Sequence, residues 1–314
     1  MKRILVTGAF GQIGSELVPV LRQKYGKDNV VSSDIRPATD AMKAAGPVEM
    51  IDVTKKEQIE SAVKAHSIDT IYHLSSILSA AGEKNPQLAY IVNNTGMYNV
   101  LEIAREKKLE RIMVPSSIAA FGPETPRDNT PNETILKPTT MYGVTKVNGE
   151  LMANYYFQKF GVDIRGVRYP GIISNVAPAG GGTTDYAVEI YYYAVQGKPY
   201  TCFLKPDSTL PMMYMPDALR AMVQLSEADV KTLRHHADYN LAAMSFSPAE
   251  LTAAIQKEIP EFKVEYKPDF RQAIADSWPR SIDDSAARKE WGWKHEYDIT
   301  KMTQDMIKEL RKRL

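Results

Sequence analysis

Cysteine and net charge are both scarce in this sequence. Cys202 is the only cysteine among 314 residues, so no disulfide can form within the chain, and we expect a cytoplasmic location. The 39 basic and 38 acidic residues leave a formal net charge of +1. This balance excludes the strongly charged composition of proteins that bind nucleic acid or anionic membranes, so we expect neither partner.

Long apolar runs, repeats and low-complexity tracts are also missing. The apolar run after Met1-Lys-Arg covers only Ile4 to Val6 and breaks at Thr7-Gly8, which is too short for a secretory signal or a membrane-spanning helix. Hydrophobic residues at 44% and charged residues at 25% are ordinary for a globular protein. The sequence thus predicts a soluble globular protein, and we identify no metal site in it.

The first half of the sequence alternates short apolar runs with amphipathic stretches. The predicted strands are Arg3–Thr7, Val30–Asp34, Glu49–Asp52, Thr70–Leu74, Arg111–Ser116 and Asp163–Tyr169. The predicted helices, with apolar residues at three- and four-residue spacing, are Gly14–Lys24, Lys56–His66, Asn85–Lys107 and Thr140–Phe160. This order is typical of repeated βα units and predicts an α/β fold with a doubly wound, mostly parallel sheet.

A glycine-rich turn directly follows the first predicted strand. Gly8, Gly11 and Gly14 stand in Thr-Gly-Ala-Phe-Gly-Gln-Ile-Gly, where small residues let a pyrophosphate approach the amides of a helix N-terminus. Asp34 ends the second strand, twenty residues after Gly14, and a carboxylate there can accept hydrogen bonds from the adenosine ribose. Glycines alone could mark a simple turn, but this context favours a dinucleotide site.

Other candidate cofactor residues lie in the same turn or near the carboxyl ends of strands, where open α/β sheets bind ligands. They are Gln12, Ile13, Arg36, Asp52, Val53, Leu74, Ser75 and Tyr169, and the neighbouring Ser76 is a candidate for the substrate. Asp52 could reach the adenine amino group or serve in an ordinary helix N-cap region before Lys55. The sequence leaves both roles open.

Tyr142 and Lys146 place a phenol and an ammonium one helical turn apart. A nearby cation favours the phenolate and brings it toward a useful general base. This spacing also arises by chance, and it recurs at Tyr155/Lys159 and Tyr297/Lys301. Tyr155 falls in an apolar stripe typical of a buried core, and Tyr297 falls in a late polar segment. Only Tyr142 opens a helix beside the strand that closes with two serines.

Those serines, Ser116 and Ser117, carry hydroxyls that could bind a substrate oxygen whose charge changes during reaction. Together with the glycine turn, Asp34 and the Tyr142/Lys146 pair, they resemble the extended short-chain dehydrogenase/reductase family over the whole chain. The resemblance implies a Rossmann-type fold, NAD as cofactor and a homodimer. It also assigns Ser116 or Ser117, Tyr142 and Lys146 to catalysis, and leaves open which serine acts. We expect Tyr142 and Lys146 to contact the cofactor as well, with Lys146 on the nicotinamide ribose.

Four later segments resemble a branch of this family whose members oxidise L-threonine at its β-hydroxyl to 2-amino-3-oxobutyrate. They are Arg168–Ser174, Gly180–Val188, Leu210–Asp217 and Ser277–Asp284. The alternatives are a nucleotide-sugar epimerase or dehydratase and a non-catalytic NAD(P)-binding sensor.

The stretch from Val176 to Tyr186 contains no basic residue, whereas a sugar-nucleotide enzyme needs a cation for the substrate pyrophosphate. Thr183, Thr184 and Asp185 instead suit a small zwitterion such as threonine. The structural alternative is a flexible glycine-rich loop in which Asp185 caps a helix that starts near Tyr186.

The regular βα alternation ends at Arg168. We expect a cofactor domain over residues 1–168, joined by part of 205–240, and a mainly substrate-binding domain over 169–314. The two helices Asn85–Lys107 and Thr140–Phe160 carry surplus apolar residues that predict a four-helix dimer interface. These residues are Tyr90, Met97, Val100, Met152, Tyr155 and Tyr156.

Overall fold

The computed structural model describes residues 1–314, and its twelve strands form three sheets. The strands are β1 (Ile4–Thr7), β2 (Val30–Asp34), β3 (Val48–Met50), β4 (Thr70–His73), β5 (Arg111–Ser117), β6 (Ile164–Tyr169), β7 (Gly171–Ile173), β8 (Tyr200–Cys202), β9 (Leu210–Tyr214), β10 (Tyr239–Asn240), β11 (Met244–Phe246) and β12 (Val264–Tyr266). The first six confirm the predicted strands to within two residues at each end.

Thirteen α-helices connect or flank these strands, and none is long and apolar enough to cross a membrane. They are α1 (Gln12–Tyr25), α2 (Asp40–Ala44), α3 (Lys56–Ala65), α4 (Ser79–Lys84), α5 (Pro86–Tyr90), α6 (Gly96–Lys107), α7 (Met141–Phe160), α8 (Tyr186–Val195), α9 (Met215–Glu227), α10 (Pro248–Glu258), α11 (Arg271–Asp276), α12 (Ser285–Trp291) and α13 (Ile299–Arg311). The helix predicted over Asn85–Lys107 is α5 and α6 joined by a π-helical turn over Ile91–Thr95.

The large sheet has seven parallel strands in the order β10-β6-β5-β4-β1-β2-β3. Helices cover both of its faces, which is why its strands are almost continuously buried. Side chains of α1 and α9 pack on one face, and side chains of α3, α6 and α7 pack on the other. The predicted doubly wound architecture is confirmed. Its strand order reverses between β1 and β4, where ligands of such sheets bind.

The second layer is smaller and has its own core. Strands β7, β9 and β11 form a mixed sheet, and β8 pairs with β12. Residues of α8, α10 and α13 enclose a core that includes Tyr186, Tyr191, Leu251 and Met306. These strands are only three to five residues long, so the sequence shows little periodicity from which to predict them.

The chain passes between the two layers several times. Only Pro170 separates β6 of the large sheet from β7 of the small one, and β9 runs directly into α9. Strand β10 then joins the large sheet before β11 returns to the small one. Further on, α12 packs against β10, and α13 packs against α8. We propose a domain boundary near Arg168, with α9 and β10 as the part of 205–240 that rejoins the large sheet.

Candidate active site

Three cavities meet at the carboxyl ends of β1, β4 and β5. Their volumes are about 350, 130 and 40 Å³, and Leu74 and Ser76 border all three. Both residues follow β4 at the point where the strand order of the large sheet reverses. The cavities therefore form one continuous site at the position expected from the fold.

The glycine turn lies between β1 and α1 and packs tightly against the chain beyond β4. Gly8 has a φ of +65°, and a Cβ there would lie 2.7 Å from the backbone nitrogen of Ser75. A Cβ at Gly14 would lie 2.4 Å from the Gly8 carbonyl oxygen, whereas one at Gly11 would meet only that oxygen, at 3.3 Å. The turn thus leaves Gly11 open beside the N-terminus of α1, which no side chain caps. This arrangement fits a pyrophosphate.

The 350 Å³ cavity extends from this turn along the ends of β2 and β3. Its walls include eight of the residues predicted to bind cofactor, namely Gly8, Gly11, Asp34, Arg36, Asp52, Val53, Leu74 and Ser75. Gln12 and Ile13 border the adjoining 130 Å³ cavity. Ten of the predicted cofactor residues therefore border two adjoining cavities at the carboxyl ends of the strands, which is where open α/β sheets bind ligands.

Asp34 is buried, and its carboxylate accepts hydrogen bonds from a backbone amide and from a side chain. Its Oδ2 accepts from the Phe10 amide at 3.0 Å, and its Oδ1 accepts from Arg36 Nε at 2.9 Å. Burial opposes the charged form, but the hydrogen bonds from Arg36 and Phe10 outweigh it and lower the pKa of Asp34. Asp34 is thus a fixed anion in the cavity wall.

Asp52 and Tyr169 also have local partners. Asp52 borders the 350 Å³ cavity. Its Oδ1 also accepts hydrogen bonds from the Thr54 amide and hydroxyl at 2.9 and 2.7 Å. Asp52 therefore stabilises the local turn and also lies in the cavity wall. Tyr169 borders the 130 Å³ cavity, but its hydroxyl turns into the core and donates to the Ala218 carbonyl at 2.6 Å. That hydroxyl is not available to a ligand.

The N-terminus of α7 presses against the segment that follows β5. A Cβ at Gly143 would lie 2.2 Å from the Ala119 carbonyl oxygen, and the Thr140 side chain caps the helix by accepting from the Gly143 amide. This contact places Tyr142 and Lys146 in the wall of the 130 Å³ cavity. Lys146 Nζ lies 5.2 Å from the centre of the Tyr142 ring.

Burial dominates the electrostatics of this pair. It raises the pKa of Tyr142 to about 12, although the Ser117 hydroxyl acts in the opposite direction. It lowers the pKa of Lys146 to about 8, and Lys146 Nζ donates to the Pro115 carbonyl at 2.8 Å. Burial is thus the largest influence on both groups, and the role of the Lys146 charge in favouring the Tyr142 phenolate stays a prediction.

The two serines at the end of β5 have different partners. Ser116 is buried and donates its hydroxyl to the carboxylate of Glu150. Ser117 interacts with Tyr142, and its Oγ accepts from the Ala119 amide at 3.2 Å. Both border the 130 Å³ cavity, but only Ser117 is associated with the phenol.

The other two Tyr/Lys pairs lie outside the three cavities. Lys301 lies 4.3 Å from the centre of the Tyr297 ring. The prediction that Tyr155 is a core residue is wrong, because its side chain is 55% exposed and its neighbour Tyr156 is buried instead. The apolar stripe of α7 indicated a buried face but not which tyrosine occupies it.

The loop before α8 forms the far wall of the 130 Å³ cavity with Thr183, Thr184 and Asp185. Asp185 does not cap α8 with its side chain; its Oδ2 accepts from the amides of Gly181 and Gly182, each at 2.7 Å. Burial raises the pKa of Asp185 despite these bonds. The Asp185 carboxylate is therefore held by its own loop, and the helix-capping role offered as the structural alternative is not observed for this side chain.

Several wall residues were not predicted from the sequence. Leu78, Ile118 and Trp278 supply apolar surface, and Ser79 Oγ lies 3.0 Å from Thr183 Oγ1. Trp278 stands in one of the segments that carry the family resemblance, whereas no pattern distinguishes Ser79. Lys146 is the only basic residue that borders this cavity. No group of three or more His, Cys, Asp or Glu side chains could hold a metal ion.

Comparison with known proteins identifies relatives over the whole chain. Residues 4–242 match the model of the NAD dependent epimerase/dehydratase family. An uncharacterized epimerase/dehydratase of Staphylococcus saprophyticus is 51% identical over 98% of this chain and 96% of its own. The crystal structure of L-threonine dehydrogenase from Phytophthora infestans is 53% identical, with a TM-score of 0.96 and full coverage of both chains. A monomeric L-threonine 3-dehydrogenase from a metagenome is 47% identical, with a TM-score of 0.96 and 99% coverage of both.

Proposed function

Because the chain belongs to the NAD-dependent epimerase/dehydratase family, we propose that it oxidises L-threonine at the β-hydroxyl to 2-amino-3-oxobutyrate in the cytoplasm. Family membership confirms the resemblance to extended short-chain dehydrogenases and, with it, NAD as the cofactor. The observation that carries the substrate assignment is the composition of the 130 Å³ cavity. It combines a Tyr/Lys pair with hydroxyls and one carboxylate, and it has no cation besides Lys146.

The proposed reaction removes a proton and a hydride from the β-carbon alcohol. When bound, NAD would supply the hydride acceptor. Tyr142 removes the hydroxyl proton as its phenolate, and the Lys146 ammonium stabilises that phenolate and binds the nicotinamide ribose. Ser117 donates a hydrogen bond to the reacting oxygen, since the Ser116 hydroxyl is engaged with Glu150.

The remaining polar groups of the cavity fit the two charges of an amino acid. Thr183 and Thr184 offer hydroxyls to the substrate carboxylate, and Asp185 is the only acidic residue that borders the cavity. A site built from buried polar groups should reject an analogue that lacks the amino or carboxyl group much more strongly than one that lacks a methyl. Serine should therefore be a poor but detectable substrate, and 2-butanol should be inert.

Asp185→Asn tests the role of the charge, because an amide oxygen can still accept from Gly181 and Gly182. We expect a higher KM for threonine and unchanged NADH binding, measured by absorbance at 340 nm and by NADH fluorescence. Glu189→Gln is the matched control, since Glu189 lies one turn along α8, bonds to Tyr200 and does not border the cavity. Equal effects of the two substitutions would contradict the assignment.

Nucleotide-sugar epimerisation is the second candidate, because curated relatives carry the epimerase/dehydratase name. Such a substrate needs a cationic partner for its pyrophosphate, and the cavity provides no arginine. We expect no turnover of UDP-glucose in an assay that monitors both epimer formation and NADH. Turnover of the sugar nucleotide without activity on threonine would refute the substrate proposal and leave the cofactor assignment intact.

A further inference from the structure

A buried ion pair lies behind the catalytic lysine. Glu150 and Arg168 are 4% and 3% exposed, and they form a two-pronged contact through Arg168 Nε at 2.9 Å and Nη2 at 2.7 Å. Ser116 donates to the same carboxylate. Arg168 also donates from Nη1 to the Asn132 carbonyl at 2.7 Å. The pair is thus fixed by the end of β5, by β6 and by the loop that contains Asn132.

The carboxylate of this pair shares a small cavity with Lys146. Glu150 lies one turn after Lys146 on α7, and both border the 40 Å³ cavity, in which Glu150 is the only carboxylate. The other ionisable side chain there is His73 of β4, whose Nδ1 lies 2.8 Å from Thr7 Oγ1. Burial and Lys146 lower the pKa of His73 to about 3, so it is neutral. Tyr142 lies on the opposite side of Lys146.

A buried ammonium tends to lose its proton unless an anion lies beside it. Burial alone lowers the pKa of Lys146, and Glu150 is the group that opposes this effect. An isolated buried carboxylate would itself become protonated, but the Arg168 guanidinium favours its charged form. The result is a row of alternating charges, Lys146, Glu150 and Arg168, and the carboxylate of Asp238 acts on Arg168 from the far side of the row.

We propose that Glu150 is a positioning residue that keeps Lys146 protonated while Tyr142 acts as base, and that Arg168 holds Glu150 ionised for this role. The proposal rests on the proposed function to the extent that Lys146 must carry its proton to support Tyr142 and to bind the nicotinamide ribose. Glu150 itself does not border the 130 Å³ cavity. It therefore acts through Lys146.

Glu150→Gln is the direct test. Lys146 then loses its anionic neighbour and faces a second cation, so its pKa should fall, and function that needs the ammonium should be lost at lower pH. We expect kcat/KM for threonine to begin its alkaline decline at a pH lower by about one unit or more than in the native protein. NADH affinity, measured by fluorescence, should show the same shift of its alkaline decline. Glu102→Gln is the matched control, because Glu102 also bonds to α7, through Tyr156, but lies away from Lys146.

The double variant Glu150→Gln/Arg168→Gln removes both charges of the buried pair, so no guanidinium is left without its carboxylate, and it serves if the single variant does not fold. Its alkaline limbs should also move down, by less. A folded variant whose limbs coincide with those of the native protein, with only a uniform loss of kcat, would overturn the proposal and leave a scaffolding role. If the native protein ignores threonine, the proposed function fails, but the NADH titration still decides the role of Glu150.

Discussion

Tyr142 and Lys146 should respond differently to substitution, because loss of the tyrosine hydroxyl removes the base and little binding surface, whereas the lysine ammonium is assigned to the nicotinamide ribose. Tyr142→Phe removes the base and little surface, so kcat should fall by about 10²–10⁴-fold while NADH affinity is retained. Lys146→Ala should reduce both the rate and the affinity. Tyr155→Phe is the control, since it changes the same atom at an exposed site. A dominant loss in the Tyr155 variant would mean that the wrong pair has been assigned.

Asp34 should make the protein prefer NAD over NADP. Its carboxylate would face the extra 2′-phosphate with like charge, and its contact with Arg36 keeps the nearest cation engaged. Asp34→Ser removes the repulsion and frees Arg36, so the ratio of kcat/KM for NAD to that for NADP should fall by at least about tenfold. Equal efficiency with the two coenzymes in the native protein would contradict this reasoning.

At the level of single residues, the direction of each side chain could not be predicted from the sequence. Neighbouring strand residues point to opposite faces, but no pattern in Ser116-Ser117 indicates which hydroxyl meets a buried carboxylate. Glu150 and Arg168 are eighteen residues apart and meet only in the folded sheet. Glycine spacing and the Tyr142/Lys146 pair were predictable because their geometry is local. Partners brought together by tertiary packing were not.

Helices α5, α6 and α7 expose apolar side chains on a shared surface. The exposed residues are Leu88, Tyr90, Tyr98, Val144, Leu151, Tyr155 and Phe160, together with Ile91 of the π turn. Of the residues expected there, Met97, Val100 and Tyr156 are instead buried in the core of the large sheet. Apolar residues lie all around α7, so spacing alone could not separate its inner from its outer face.

We expect this surface to form an isologous homodimer. Leu151 is 63% exposed on α7, so Leu151→Arg should weaken the dimer and shift the mass measured by light scattering at micromolar concentration toward that of a monomer. Phe270→Arg is the control, because Phe270 is 51% exposed and precedes α11 of the small layer rather than belonging to one of these helices. A native protein of monomeric mass would refute the dimer, and one similar threonine dehydrogenase is described as monomeric.

The large sheet was predictable because each βα unit repeats a local pattern. The ends of β1, β2 and β5 lie within one residue of Gly8, Asp34 and Ser116, which had marked the predicted strand ends. The π-helical turn within Asn85–Lys107 could not be predicted, because the apolar stripe of the sequence continues through it. In the small layer, strands of three to five residues pair across long sequence separations. Nothing local in Val264–Tyr266 or Tyr200–Cys202 indicates that they lie side by side.

At the scale of the whole molecule, the active site lies where the two layers meet. Asp34 and the glycine turn belong to the large sheet, whereas Thr183, Asp185 and Trp278 belong to the small layer. Tyr142 and Lys146 lie between them on α7. Under the proposed assignment, the cofactor and substrate groups belong to different layers, with the Tyr142/Lys146 pair at their boundary.

The repeated passage of the chain between the layers has a consequence for unfolding. Strand β10 cannot leave the large sheet without pulling on β11, and β9 cannot leave the small sheet without disturbing α9. The two layers should therefore lose structure in one cooperative transition. Trp278 is buried in the small core, whereas Trp293 lies in the large core with Trp291 packed against it. During urea unfolding, fluorescence of Trp278→Phe therefore reports on the large sheet, and that of Trp291→Phe/Trp293→Phe reports on the small layer.

The two curves should share one midpoint with each other and with circular dichroism, after allowance for the change in stability that each substitution causes. Two separated transitions in a single variant would show that the layers unfold independently. With shared unfolding, a packing defect in the small layer reduces the population of folded cofactor-binding sheet as much as a defect in that sheet itself. Substitutions far from the nicotinamide pocket can then lower activity in cells through abundance alone.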